Sequence, residues 1–154
     1  MFEWIAFTLL SIVIIYFSRA SLRHPRSHGF YRFFAWEAIA GLIALNLPGW
    51  FNNPFAIHQV ISWILLIASI YFVTAGLLLL RQRGKPQSTR QDDSLFEMEK
   101  TTQLVTSGLY RFIRHPLYSS LLCLGWGAFF KHPAWFVLIL AVLATFFLSM
   151  TAHI

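Results

Sequence analysis

Residues 104–127, LVTSGLYRFIRHPLYSSLLCLGWG, pass from a dense polar cluster into an apolar helix without a break. Gly108 permits a tight turn. Tyr110, Arg111, Arg114 and His115 follow, and Pro116 fixes φ at the first position of the predicted helix. A helix start presents backbone N–H groups that lack intrahelical partners, together with the positive end of the helix dipole. Arg114 and His115 add donors there, so the stretch predicts an anion site, for a carboxylate or a phosphate, at the edge of a membrane helix. The plainer reading of the same residues is interfacial anchoring, in which Arg and His before an apolar helix set topology and bind nothing.

Outward from this stretch the chain is apolar almost throughout. Of its 154 residues 57% are hydrophobic and only 12% charged, with a mean hydropathy of +0.61. Ordinary soluble domains carry about 25% charged residues. The expected fold is therefore all-α: one polytopic membrane domain, 1–154, with about five transmembrane helices. The spans read as roughly 4–17, 33–47, 57–80, 116–130 and 134–152, the last two forming a helical hairpin, with a cytosolic linker over 81–115. Within that linker residues 84–94 are polar and without apolar periodicity.

The net charge of +6 does not point to nucleic acid, because the basic residues sit between apolar runs, where they set topology and meet anionic headgroups. Arg19, Arg23, Arg26 and Arg32 lie in the first loop, seven Lys and Arg lie between positions 81 and 114, and Lys131 stands alone. Five alternating spans place eleven of these twelve on one side, the predicted cytoplasmic side, with the N-terminus outside and the C-terminus inside. Glu3 stands where a secretory signal would be basic, so the first helix reads as retained. Cys123 is the lone cysteine and no zinc-type Cys/His spacing is present, so no metal is expected. His24-Pro25 and His28-Gly29 read as turns, and Asp92, Asp93, Glu97 and Glu99 as a solvated acidic group.

Glu37 falls near the cytoplasmic end of span two on this reading. A carboxylate at that depth needs protein, water or a cation beside it. It serves either as a charge-balancing contact in a catalytic pocket or as the ion-pair partner of Arg32 or another cytoplasmic-side Arg. Two ridges of small residues, Ser119/Cys123/Gly127 and Ala141/Thr145/Ser149, are expected to pack spans four and five against each other.

GLYRFIRHPLYSSLL, with LVTSG before it and a GWG-containing apolar hairpin after it, resembles the isoprenylcysteine carboxyl methyltransferase family, a group of membrane methyltransferases with phospholipid methyltransferase relatives. The resemblance is best over residues 99–152. It implies methyl transfer from S-adenosylmethionine to a lipophilic acceptor, an isoprenylcysteine-type carboxylate or a lipid, with membrane lipids as the other partners. Carried over residue by residue, His115, Pro116 and Tyr118 match the cofactor motif, with Arg114 beside them, and Gly108 and Tyr110 match its approach. No nucleophile or base is implied for a carboxylate acceptor. Ser120 departs from the glycine that many members carry after the motif tyrosine. The family's last span usually continues into an acidic pair that closes the cofactor pocket, whereas this sequence ends at His153-Ile154, so weak or absent activity is expected. The rival readings are a non-catalytic membrane scaffold or subunit and a haem-binding protein using two of His24, His58, His115 and His132.

Overall fold

The computed structural model describes residues 1–23, 28–83, 108–113 and 115–153. Its helices are α1 (Phe2–Leu22), α2 (His28–Asn46), α3 (Ile57–Arg83), α4 (Pro116–Phe129) and α5 (Trp135–His153), with 3-10 turns at Leu47–Gly49 and Gly108–Arg111. No strand occurs among the described residues. Four helical segments, Phe2–Leu22, Gly29–Gly49, Ile57–Gln82 and Trp135–His153, are long and apolar enough to cross a membrane. The fifth helix, α4, has 14 residues. At 1.5 Å per residue it is about 21 Å long, against a hydrocarbon core of about 30 Å. The chain is thus an all-helical, multi-pass membrane protein.

Several helices run past their apolar windows. α1 continues to Leu22 because Ser18 and Ser21 turn inward and are buried, while the Arg19 guanidinium lies 5.1 Å over the Tyr16 ring. α2 opens at His28-Gly29, where a turn was expected, and buries Arg32 with its guanidinium 5.6 Å over Trp36. Long cationic side chains lay their stems and charge on apolar and aromatic surface, so a charged residue need not end a helix. The consequence for Glu37 is a correction. Counted from His28 it is the tenth of the 19 residues of α2, mid-helix rather than near an end.

α2 is the centre of the bundle. Its Ala35, Ala38 and Ile39 pack with Ala144 and Leu148 of α5, and its Leu42 with Ala128 and Phe129 of α4 and Val137 and Ala141 of α5. Small residues let these backbones approach closely. The two small-residue ridges expected to join α4 and α5 meet other helices as well. Gly127 faces α3, where an added Cβ would lie 2.9 Å from Leu66 Cδ2, and Ala141 packs in one cluster with Leu42 of α2 and Ala128 and Phe129 of α4. Ser149 is exposed. Trp126 Nε1 donating to Thr145 Oγ1 at 3.2 Å is a direct tie between the arms. Sequence spacing marks which residues are small; it does not say which neighbour they meet.

Polar side chains close one end of the bundle. Gln59 Nε2 donates to the carbonyls of Gly49 and Lys131, both at 3.0 Å, and Lys131 Nζ donates to Gln59 Oε1 at 3.1 Å. The same Nζ lies 3.5 Å from the Trp63 ring centre and 5.3 Å from that of Trp50. Lys131 is only 1% exposed, and this burial lowers its pKa from the ordinary 10.5. Asn46 Nδ2 donates to Ala128 O and Ser62 Oγ to Gly127 O, each at 2.7 Å. The last four carbonyls of a helix have no intrahelical donor. Here α2 and α3 supply donors for two of α4's.

Candidate functional site

The opposite end of α4 carries the residues singled out in the sequence. Gly108 has φ +62°, in the left-handed region that favours glycine, and it begins the second 3-10 turn. A Cβ there would lie 3.0 Å from Leu79 Cδ1, so the turn rests on α3. Phe112 N and Ile113 N both donate to Leu109 O, at 3.1 and 3.0 Å, and close it. Tyr110 is half-buried; burial raises its phenol above the ordinary 10.0, which keeps a neutral hydroxyl donor at physiological pH. Arg111 is exposed, its guanidinium 5.9 Å over Phe112.

His115 is the N-cap residue of α4, with φ −130° and ψ 69°, and makes no side-chain capping bond. Its carbonyl accepts Ser119 N–H at 3.0 Å and the Ser119 hydroxyl at 3.2 Å. The residue is exposed, and its imidazole lies 5.7 Å from the Tyr118 ring, the planes inclined at 37°. Pro116 occupies the first helical turn and is buried. It meets α3 at Gly76, where an added Cβ would stand 3.6 Å from Pro116 Cβ and Cγ and 3.3 Å from Leu117 Cδ2. Tyr118 packs against the cluster of Ala35, Ile39 and Leu148. Ser120, the departure from glycine, is buried and turns its hydroxyl back to Leu117 O at 2.7 Å.

The structure therefore brings His115, Pro116 and Tyr118 together at the start of α4. Gly108 and Tyr110 stand on the same turn-bearing end of α3. Arg114 lies outside the described residues, as do His24, Asp92, Asp93, Glu97 and Glu99. His115 and His132 stand at opposite ends of α4 and share no site.

Glu37 is elsewhere. Ser11 Oγ of α1 donates to its Oε2 at 2.7 Å, and its buried Oε1 has no hydrogen-bond partner among the described residues. It lines a cleft of about 340 Å³ between α1, α2 and α5, shared with Glu3, Trp4, Phe7 and Leu140. None of Tyr110, His115 and Tyr118 lines that cleft. Ser11 sits inside an apolar run, and no spacing rule pairs it with a residue 26 positions away. The contribution of α3 was equally hidden, except that Gly76 is the single glycine in that helix, a mark of close approach.

The start of α4 offers an exposed imidazole, a helix terminus that its own cap residue leaves open, and two tyrosines. Such a set can hold an anionic group and present aromatic faces to a cation. A family model described as phospholipid methyltransferase matches residues 57–154, from the first residue of α3 through this site and α5. Comparisons with curated proteins and with solved structures gave no match.

Proposed function

Because the chain belongs to the phospholipid methyltransferase family, we propose that it is an S-adenosylmethionine-dependent methyltransferase acting on a lipophilic acceptor, an isoprenylcysteine-type carboxylate or a lipid head group. The observation that carries this reading is the corner at His115, Pro116 and Tyr118: an exposed imidazole beside an open helix start, inside the matched segment. When bound, S-adenosylmethionine supplies a methyl group on a cationic sulfonium.

An amino-acid carboxylate fits the open start of α4, where backbone N–H groups and the His115 imidazole are the donors. Arg114, adjacent in sequence, adds a guanidinium suited to the same anion. Tyr118 and Tyr110 offer rings to adenosine or to the sulfonium charge, and Tyr110 retains its hydroxyl proton for donation. Gly108 holds the turn that carries Tyr110, and Pro116 fixes the direction in which α4 leaves the site. A carboxylate acceptor needs no base from the protein; alignment with the methyl group is the main requirement. Glu37, hydrogen-bonded to Ser11, lines a cleft apart from Tyr110, His115 and Tyr118. On the charge pattern of the loops, the site opens toward the cytosol.

Titration calorimetry of the detergent-purified protein with S-adenosylmethionine tests the reading. Saturable binding is expected, weakened about tenfold by His115→Ala, the equivalent of about 1.4 kcal/mol for one charge-assisted hydrogen bond. Equal affinity in the variant removes His115 from the site. No binding by the parent protein overturns the cofactor assignment.

A further inference from the structure

One turn of α3 touches both halves of the candidate site. Gly76 meets Pro116 and Leu117 of α4, and Leu79 meets Gly108 of the turn that carries Tyr110. Residues three apart share a helix face, so Gly76 and Leu79 present one surface. Pro116 is fully buried, and a proline ring has no rotamer with which to retreat. His115 precedes it and Tyr118 follows it within half a turn.

We propose that Gly76 and Leu79 are positioning residues of the cofactor site: Gly76 sets the height at which Pro116, and with it His115 and Tyr118, sits on α3, and Leu79 sets the seat of Gly108 and hence of Tyr110. The inference rests on the reading that these groups hold the cofactor.

The geometry predicts a graded response. A single methyl at position 76 stands 3.3 Å from the flexible tip of Leu117, which can move by a few tenths of an ångström. The branches of a valine extend a further bond toward the Pro116 ring, which cannot yield without lifting the start of α4. Gly127 is the control. It lies in the same α3–α4 interface, its added Cβ would be closer still, 2.9 Å from Leu66 Cδ2, and it belongs to the far end of α4.

Gly76→Ala, Gly76→Val and Gly127→Ala are compared in detergent by S-adenosylmethionine calorimetry and by NMR of ring-labelled histidine. The His115 resonance is identified by its loss in His115→Ala. Gly76→Val is expected to shift that resonance and to weaken binding at least tenfold. Gly76→Ala should do both by a smaller amount. Gly127→Ala should lower Tm while leaving the resonance and the Kd in place. The proposal is overturned if a folded Gly76→Val, or Gly76→Ala where valine does not fold, leaves the His115 resonance unmoved, or if Gly127→Ala moves it equally. The resonance needs no ligand. Failure of the parent protein to bind S-adenosylmethionine therefore sinks the cofactor reading, while the spectra still decide whether Gly76 positions His115.

Discussion

The two ends of α4 are built on opposite plans. At its C-terminal end, side chains from α2 and α3 reach the backbone across long sequence separations: Asn46 to Ala128, Ser62 to Gly127, and Gln59 to Lys131. At its N-terminal end Ser119 and Ser120 turn their hydroxyls back to His115 O and Leu117 O of their own helix start, and Gly76 and Leu79 of α3 meet it through apolar contacts. A polar group inside a membrane protein must find a partner. Where the protein itself supplies donors to the helix carbonyls, the end is locked. Where it leaves a helix start and an imidazole open, a ligand can supply the rest.

The contrast breaks most visibly at Gln59. Gln59→Leu removes donors from Gly49 O and Lys131 O and the acceptor from Lys131 Nζ. Leaving these groups buried and unpaired should cost about 3 kcal/mol, and lower Tm in detergent by roughly 6–12 °C. Affinity at the other end should not change; a parallel loss of S-adenosylmethionine binding would show that the two ends are coupled. Asn46→Ala, which loses one bond to Ala128 O, should cost about 1 kcal/mol in the same melt. A drop as large as that of Gln59→Leu would mean that the locked end depends on Asn46 instead.

The smallest effect is a pH slope. Burial lowers the Lys131 pKa below 10.5, so between that lowered value and 10.5 the unfolded chain holds more protons than the folded one. Stability should rise with pH across that window, as the penalty of burying the ammonium fades. Lys131→Met should flatten this slope. An unchanged slope would assign it to another group.

Much of the frame was legible in the sequence. Apolar runs give helices because buried backbone in lipid must be bonded within its own segment, and Pro116 marked the start of α4 to the residue. Gly108 was marked as a turn, and its positive φ is the reason a glycine suits the position. Three-dimensional neighbours were not legible. Arg32 looked like a helix boundary and lies buried against Trp36. Lys131 stood alone between the fourth and fifth spans and is enclosed by Trp63, Trp50 and Gln59. Glu37 was read with the motif and is hydrogen-bonded to α1. Arg32 met a ring one turn along its own helix, whereas Lys131 and Glu37 found partners on other elements, and those pairings leave no period in the sequence.

The meeting of Pro116 with Gly76 also fixes a depth. α3 continues seven residues past Gly76 to Arg83, about 10 Å at helical rise. The start of α4 is therefore set back about two helical turns from the tip of its neighbour. On the proposed function, a water-soluble donor would travel along the flank of α3 to reach it, while a lipid acceptor would come to it from the side.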